Sequence, residues 1–211
     1  MKSPELEKIE FAKTHKDLYS ATSKIKEVDA ERATFLSIEG QGEPGGAAFQ
    51  SAIERMYSMA YTTKFSLKKA GKLDFGVSRL ECLWHGDDFE HTPRSQWRWQ
   101  LLIRIPNAVT EKDLKLARAE IREKRGIDAS AVKRWTWAEG RCIQVLHVGP
   151  YDKLGRTYSE LDEFARASGL ATACPGHEIY ISDPRRVPPA KLKTIVRLPI
   201  SGQSPKLPNS R

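Results

Sequence analysis

The chain has 211 residues, 39% of them hydrophobic and 29% charged, with 35 Lys and Arg against 27 Asp and Glu for a formal charge of +8. That length supplies a hydrophobic core without disulfides or metal, and no apolar run approaches the roughly 20 residues of a membrane span. The three cysteines, Cys82, Cys142 and Cys174, are widely spaced and form no Cys-x-x-Cys pair, so with no signal-like or transit-like N-terminus the expectation is reduced thiols and a cytoplasmic location.

Residues 1–30 are polar and of mixed charge and read as an N-terminal extension, with a weakly helical patch at 13–19 lying on the outside of the fold. A strand is predicted at 33–39, followed by the glycine-rich turn Gly40-Gln-Gly-Glu-Pro-Gly-Gly46. Phe49, Ile53, Met56, Tyr57, Ala60 and Tyr61 then recur at helical spacing, which predicts an amphipathic helix covering a sheet. Strands follow at 77–84 and 97–105, separated by a polar stretch. Thr110 with Asp113 makes a capping box for a helix carrying Leu114, Ala117 and Ile121 and closed by Gly126. Strands at 132–138 and 141–148 meet at Glu139-Gly140, a tight-hairpin signal. Leu154, Tyr158, Leu161 and Ala165 form the stripe of a further helix. A strand at 177–182 and a proline-rich loop precede a last strand at 193–198, ended by Pro199. Residues 201–211, rich in Ser, Pro, Gly and Asn, are expected to be a disordered tail.

The same programme runs twice. Ile103-Arg-Ile-Pro106 echoes Val196-Arg-Leu-Pro199 at an offset of 93, Leu80-Glu-Cys-Leu83 echoes His177-Glu-Ile-Tyr180 at 97, and Gly42 matches Gly149 at 107. This predicts an α+β fold of tandem strand-helix-strand-strand modules around a pseudo-twofold axis, over about 31–109 and 132–200, with Glu81 and Glu178 in equivalent positions beside a cleft. Along 177–182, alternation sets Glu178, Tyr180 and Ser182 on a face suited to a pocket wall and His177, Ile179 and Ile181 on a core face. A half-buried acid beside an aromatic ring needs a cation, a hydrogen bond or a raised pKa. The plainer alternative is a Glu178 on a solvated sheet face, paired with a lysine or arginine.

Gly40-Gln-Gly-Glu-Pro-Gly45 has the spacing of a dinucleotide fingerprint, but Glu43 would meet the pyrophosphate and Pro44 removes an amide donor, so no such cofactor is expected. Cys82, His85, His91 and His177 do not match a closed zinc site, and no metal is expected. The G-x-S-x-G nucleophile elbow is absent. Aromatic residues are more informative: Trp84, Trp97, Trp99, Trp135 and Trp137, with Tyr57, Tyr61, Tyr151 and Tyr180, supply many rings to strands and turns. For Trp97 and Trp99, which share a face with Leu101 and Ile103, core packing is the plain alternative. Aromatic walls with one or two acids suit flat apolar or cationic molecules. Nucleic acid is disfavoured, because basic residues are interspersed with acids and central carboxylates would repel phosphates.

Asp17-Leu-Tyr-Ser20, the strand leading to Gly40-Gln-Gly-Glu-Pro44, Leu80-Glu-Cys-Leu-Trp84, Ser95-Gln-Trp-Arg-Trp-Gln-Leu-Leu-Ile-Arg104, His147-Val-Gly-Pro-Tyr151 and His177-Glu-Ile-Tyr-Ile-Ser-Asp-Pro-Arg185 together resemble the GyrI-like small-molecule-binding proteins over about residues 15–200. The resemblance implies antiparallel β-α-β-β modules forming a concave ligand groove, related to the effector-binding domains of multidrug regulators such as BmrR and Rob. It also implies Glu178 as the pocket acid with Tyr151 beside it as candidate catalytic residues. Glu81, Trp84, Trp97, Trp99, His147, Tyr180 and Tyr61 are the expected ligand-binding residues. Cys82 stands where the family pattern leads one to expect glycine, which would narrow the groove or set a thiol beside it. The implied activity is capture of hydrophobic or cationic aromatic xenobiotics, with or without hydrolysis of cyclopropanoid cyclohexadienone electrophiles. The alternative is a non-catalytic sensor or a regulator acting on a protein such as DNA gyrase.

Overall fold

The structure is a computed structural model that describes residues 6–86 and 88–202. From residue 203 on, the expected tail lies outside the described residues. The N-terminal segment supplies β1 (Lys8–Ile9), α1 (Phe11–Thr14), α2 (Lys16–Tyr19) and β2 (Lys26–Ala30). The first module follows as β3 (Ala33–Gln41), α3 (Ala47–Lys69), β4 (Asp74–Phe75), β5 (Leu80–His85) and β6 (Arg98–Ile105). Then come α4 (Glu111–Arg125) and β7 (Lys133–Trp137), and the second module of β8 (Gly140–Val148), α5 (Leu154–Ala167), β9 (Ala171–Thr172), β10 (Gly176–Tyr180) and β11 (Lys193–Ser201). No helix among the described residues is long and apolar enough to cross a membrane.

One antiparallel sheet runs in the order β2-β8-β11-β10-β5-β6-β3-β7, with β9 added to β11. Outward from the central β10–β5 pair, β11 and β8 on one side answer β6 and β3 on the other, the pseudo-twofold arrangement that the repeat predicts. Helices α3 and α5 lie on one face of this sheet. Phe49, Met56 and Met59 of α3 pack on Leu36, Leu101 and Ile103, while Leu154, Leu161 and Ala165 of α5 pack on Ile143, Val145 and Val196. α4 adds Leu114, Ala117 and Ile121 to the first of these cores. Its capping box forms as predicted, with Thr110 Oγ1 accepting from the Asp113 amide at 3.2 Å and Asp113 Oδ2 accepting from the Thr110 amide at 2.9 Å. Gly126 ends the helix at φ 65°, a left-handed conformation that costs glycine little.

Four expectations need correction. β7 and β8 form no hairpin at Glu139-Gly140. β7 pairs with β3, and β8 pairs with β2 and β11. The strand preceding each module thus pairs with the other module, β2 with β8 and β7 with β3, and Trp135 and Trp137 find apolar cover against Phe35, Leu83 and Leu102 of the first module. Second, the 13–19 patch is only half on the outside: Lys13, Thr14, Lys16 and Asp17 are exposed, but its apolar side is buried against the sheet. Leu18 and Tyr19, with Phe11, are the apolar residues of α1 and α2, and they cover Ile179 and Ile195 on the face away from α3 and α5. Third, Pro199 does not end β11. It stays in register with Cys142, and its carbonyl accepts from the Ala173 amide at 2.9 Å, a role that does not need the missing N–H.

The fourth concerns register. Leu80 lies opposite Ile103, and Glu178 lies opposite Val196. Since Ile103 and Val196 are equivalent at an offset of 93, Glu178 corresponds to Leu80 at an offset of 98, not to Glu81 at 97. One residue of slip turns a side chain to the other face of a sheet, so Glu81 and Glu178 point in opposite directions. The same bookkeeping pairs Leu36 with Val145, an offset of 109 that matches Gly149 to Gly40 and not to Gly42.

Candidate functional site

Where the modules meet, neither α3 nor α5 covers β5 and β10, and a cavity of about 2480 Å³ opens above these strands. Single drug-sized ligands use cavities of about 300–1,000 Å³, so the space is a wide groove. Its floor presents Leu80, Trp84, Gly176, Glu178 and Tyr180. One wall carries Phe49, Tyr57 and Tyr61 of α3, and the other carries Tyr151 and Tyr158.

Glu178 sits in the middle of the floor and is only 6% exposed. Tyr180 donates its hydroxyl to Oε2 at 2.9 Å and Tyr158 donates to Oε1 at 3.2 Å. Among the described residues no lysine or arginine pairs with it, which removes the solvated-face alternative. Burial raises its pKa, and this outweighs the opposing hydrogen bonds from Tyr180 and Tyr158, the effect of the nearby Trp84 indole N–H and the charge of His177. Burial likewise lifts both phenols well above their ordinary values, so they remain donors. Trp84 stacks on Phe49 at 5.9 Å and meets Trp97 edge-on at 5.7 Å, and its indole N–H has no hydrogen-bond acceptor within the protein.

Two glycines shape this arrangement. A Cβ on Gly176 would lie 2.9 Å from Tyr158 Cε1, so the bare backbone there lets the Tyr158 ring settle on the sheet and reach Glu178. Gly149, at φ 150°, turns the chain out of β8. The turn is held by His147, whose Nδ1 lies 2.8 Å from Thr157 Oγ1 and whose Nε2 lies 3.3 Å from the Pro150 carbonyl. Tyr151 then projects into the groove with its ring edge-on to Tyr180 at 5.6 Å. Burial, followed by the charge of Glu178, pushes its pKa up to about 12.

Of the residues expected from sequence, Glu178, Tyr151, Trp84, Trp97, Tyr180 and Tyr61 line the groove. Three do not. Trp99 is a core residue beneath Gly40 and edge-on to Phe49. His147 is buried behind the turn that presents Tyr151. Glu81 faces the other side of the sheet, where it accepts from Tyr19 at 2.8 Å and contacts His177 at 3.0 Å. Cys82, directly opposite Glu178 in register, is fully buried and adds no thiol to the cavity wall. Sequence reasoning missed Tyr158, which read as one member of a helical stripe. The available signal was a hydroxyl within an otherwise aliphatic stripe, combined with a glycine on the strand beneath.

The family described as the GyrI-like small molecule binding domain matches residues 22–201. The structure of an uncharacterized conserved protein from Listeria innocua is 36% identical and superposes with a TM-score of 0.86, covering 92% of this chain and 100% of that one. A structure described as a hydrolase from the same organism matches with the same identity, coverage and TM-score. The C-terminal domain of EcmrR, 14% identical with a TM-score of 0.55 over 84% of this chain and 97% of that one, shares the fold alone. Among curated proteins, tRNA pseudouridine synthase A of Akkermansia muciniphila is 31% identical over 71 residues, 33% of this chain, and the match spans only 27% of that protein's length.

Proposed function

This chain belongs to the GyrI-like small-molecule-binding family, and we propose that its groove captures flat hydrophobic or cationic aromatic compounds and hydrolyses electrophilic ones of the cyclopropanoid cyclohexadienone type. The observation that carries this reading is a buried carboxylate at the centre of an aromatic groove, with a phenol donating to each of its oxygens and no lysine or arginine paired with it among the described residues. Rings of Trp84, Phe49 and Tyr180 offer faces and edges for a planar ligand. Because both oxygens of Glu178 already accept hydrogen bonds, the site does not demand a cation, though the ionised acid favours one.

In the hydrolytic step Glu178 takes a proton from water while the water oxygen attacks the cyclopropane carbon. The strained C–C bond breaks, its electron pair enters the dienone, and a phenolate forms whose oxygen accepts a hydrogen bond from Tyr151. Glu178 then returns the proton to that oxygen, so the sum is addition of one water. A raised pKa suits a carboxylate to this exchange near neutral pH, where such a base contributes about 10² to 10⁴ in rate. The description of a 36%-identical Listeria innocua structure as a hydrolase supports the catalytic half.

The test is turnover of a cyclopropanoid cyclohexadienone by wild type and Glu178→Gln, alongside tryptophan-fluorescence titration with a rhodamine-like dye. Turnover falling by about 10² or more in the variant is expected. Equal turnover would remove Glu178 from the mechanism. Dye binding with no turnover by either protein would reduce the function to capture.

A further inference from the structure

Behind the sheet lies a second polar cluster that the groove does not use. His177, the residue before Glu178, points to the opposite face and is 1% exposed. Its Nε2 lies 3.0 Å from Glu81 Oε2, and its Nδ1 lies 2.9 Å from Glu139 Oε2. A neutral imidazole carries one N–H, so it would set the lone pair of its other nitrogen against a carboxylate oxygen. Contact of both nitrogens with acids therefore calls for the imidazolium, with both as donors. Arg197, opposite His177 in register, donates to the same Glu139 oxygen at 3.0 Å, to Gln144 Oε1 at 2.9 and 3.0 Å, and to the Leu18 carbonyl at 2.7 Å. Two acids and two cations thus balance, which is the condition under which buried charge is tolerated.

We propose that His177 is a positioning residue for Glu178, its buried imidazolium holding β10 in place from behind and favouring the ionised form of the acid in the groove. The inference rests on the reading of Glu178 as the acid of the site. Glu178 is faced by Tyr180 on its own strand, Cys82 and Trp84 on β5, Tyr158 on α5 and Tyr151 beyond, and none of these brings a positive charge. The charge acting on it from behind is that of His177. His177 is faced by Glu81 of β5, Glu139 between β7 and β8, Arg197 of β11 and the Trp137 ring at 5.9 Å. Tyr19 of α2 donates to Glu81, and Arg104 of β6 lines the same small cavity. Burial would lower the His177 pKa, but Glu139 and Glu81 hold it up at about 9, consistent with the geometry.

The test titrates the Glu178 carboxyl by NMR in protein carrying ¹³C-glutamate, with the signal assigned by its loss in Glu178→Gln. His177→Gln deletes the positive charge, so the Glu178 midpoint should rise by about one to two pH units, as expected for a unit charge roughly 7–12 Å away at an effective dielectric constant of about 20. Glu139→Gln removes a negative charge from the cluster, so with the His177 ring still protonated against Glu81, as its ¹⁵N shifts in that variant report, the midpoint should fall. Loosening of the fold would move both variants the same way, and shifts of like sign, or none, overturn the proposal. Should either variant fail to fold, ¹⁵N shifts of His177 in the wild type decide the matter. Two protonated ring nitrogens at pH 7 are expected, and a neutral ring overturns the proposal. No ligand enters this titration, so a failure of the hydrolytic reading shows separately, as unchanged turnover by Glu178→Gln.

Discussion

Substituting Gly40 by alanine would set a Cβ 2.2, 2.4 and 2.7 Å from Cη2, Cζ2 and Cζ3 of the Trp99 indole. Carbon atoms settle at about 3.5 Å or more, so the indole has to retreat by more than about 1 Å. It has nowhere to go alone. Trp99 is 3% exposed, it meets Phe49 edge-on at 5.2 Å, and Phe49 stacks on Trp84 in the groove floor. Gly40 does not occupy a positive-φ conformation, so the cost is steric and not a matter of backbone strain. Overpacking a tight core costs about 1–3 kcal/mol, and displacement through two further rings puts Gly40→Ala near the top of that range. Guanidinium chloride denaturation measures the loss. Trp99→Phe removes the outer ring atoms that collide, so in the Gly40→Ala background it should relieve the clash, and the double variant should lose about 2 kcal/mol less than the two single losses together. Dye affinity, weakened in Gly40→Ala as Phe49 and Trp84 shift, should recover with it. Additive losses across this cycle would refute the reasoning.

Gly176→Ala places a methyl 2.9 Å from Tyr158 Cε1 and should pull that hydroxyl from Glu178, so the Glu178 midpoint in the ¹³C titration should rise as a hydrogen bond favouring the ionised form is lost. An unchanged midpoint would remove Tyr158 from the site. Arg197→Met strips Glu139, Gln144 and the Leu18 carbonyl of a donor, and urea denaturation should show a loss of about 3–5 kcal/mol; a loss under about 1 kcal/mol would mean the cluster is not buried as described. Glu178 has a folded pKa raised above its ordinary 4.5, so the folded protein holds that proton more tightly than the unfolded chain, and stability falls as pH rises through the folded value. Glu178→Gln should therefore melt above wild type at pH 8, with the gap closing below pH 4.5; a gap independent of pH would contradict a buried, titrating Glu178.

Much of this architecture was legible in the chain because it follows from local rules. The stripe from Phe49 to Tyr61 and the Thr110–Asp113 capping box marked α3 and α4, and alternation from His177 to Ser182 assigned Glu178 and Tyr180 to one face and His177 and Ile179 to the other. Trp99 shows where local reading stops. Its spacing matched Trp97, yet Trp97 reaches the groove, while Trp99 fills the space left by Gly40 on the neighbouring strand. β2 escaped notice because Lys26-Glu-Val-Asp-Ala30 is an edge strand with charged residues at alternate positions.

Side-chain direction along a strand repeats every two residues, so the chain alone determined which neighbours of Glu178 share its face, and the doubled motifs determined that two like modules exist. Which strand pairs with which, and at what register, depends on contacts between residues about 100 positions apart. Only the tertiary structure decided those. A single residue of offset there separates an acid in the groove from an acid behind it, and this is why Glu178 faces the ligand space while Glu81 was drawn into the cluster around His177.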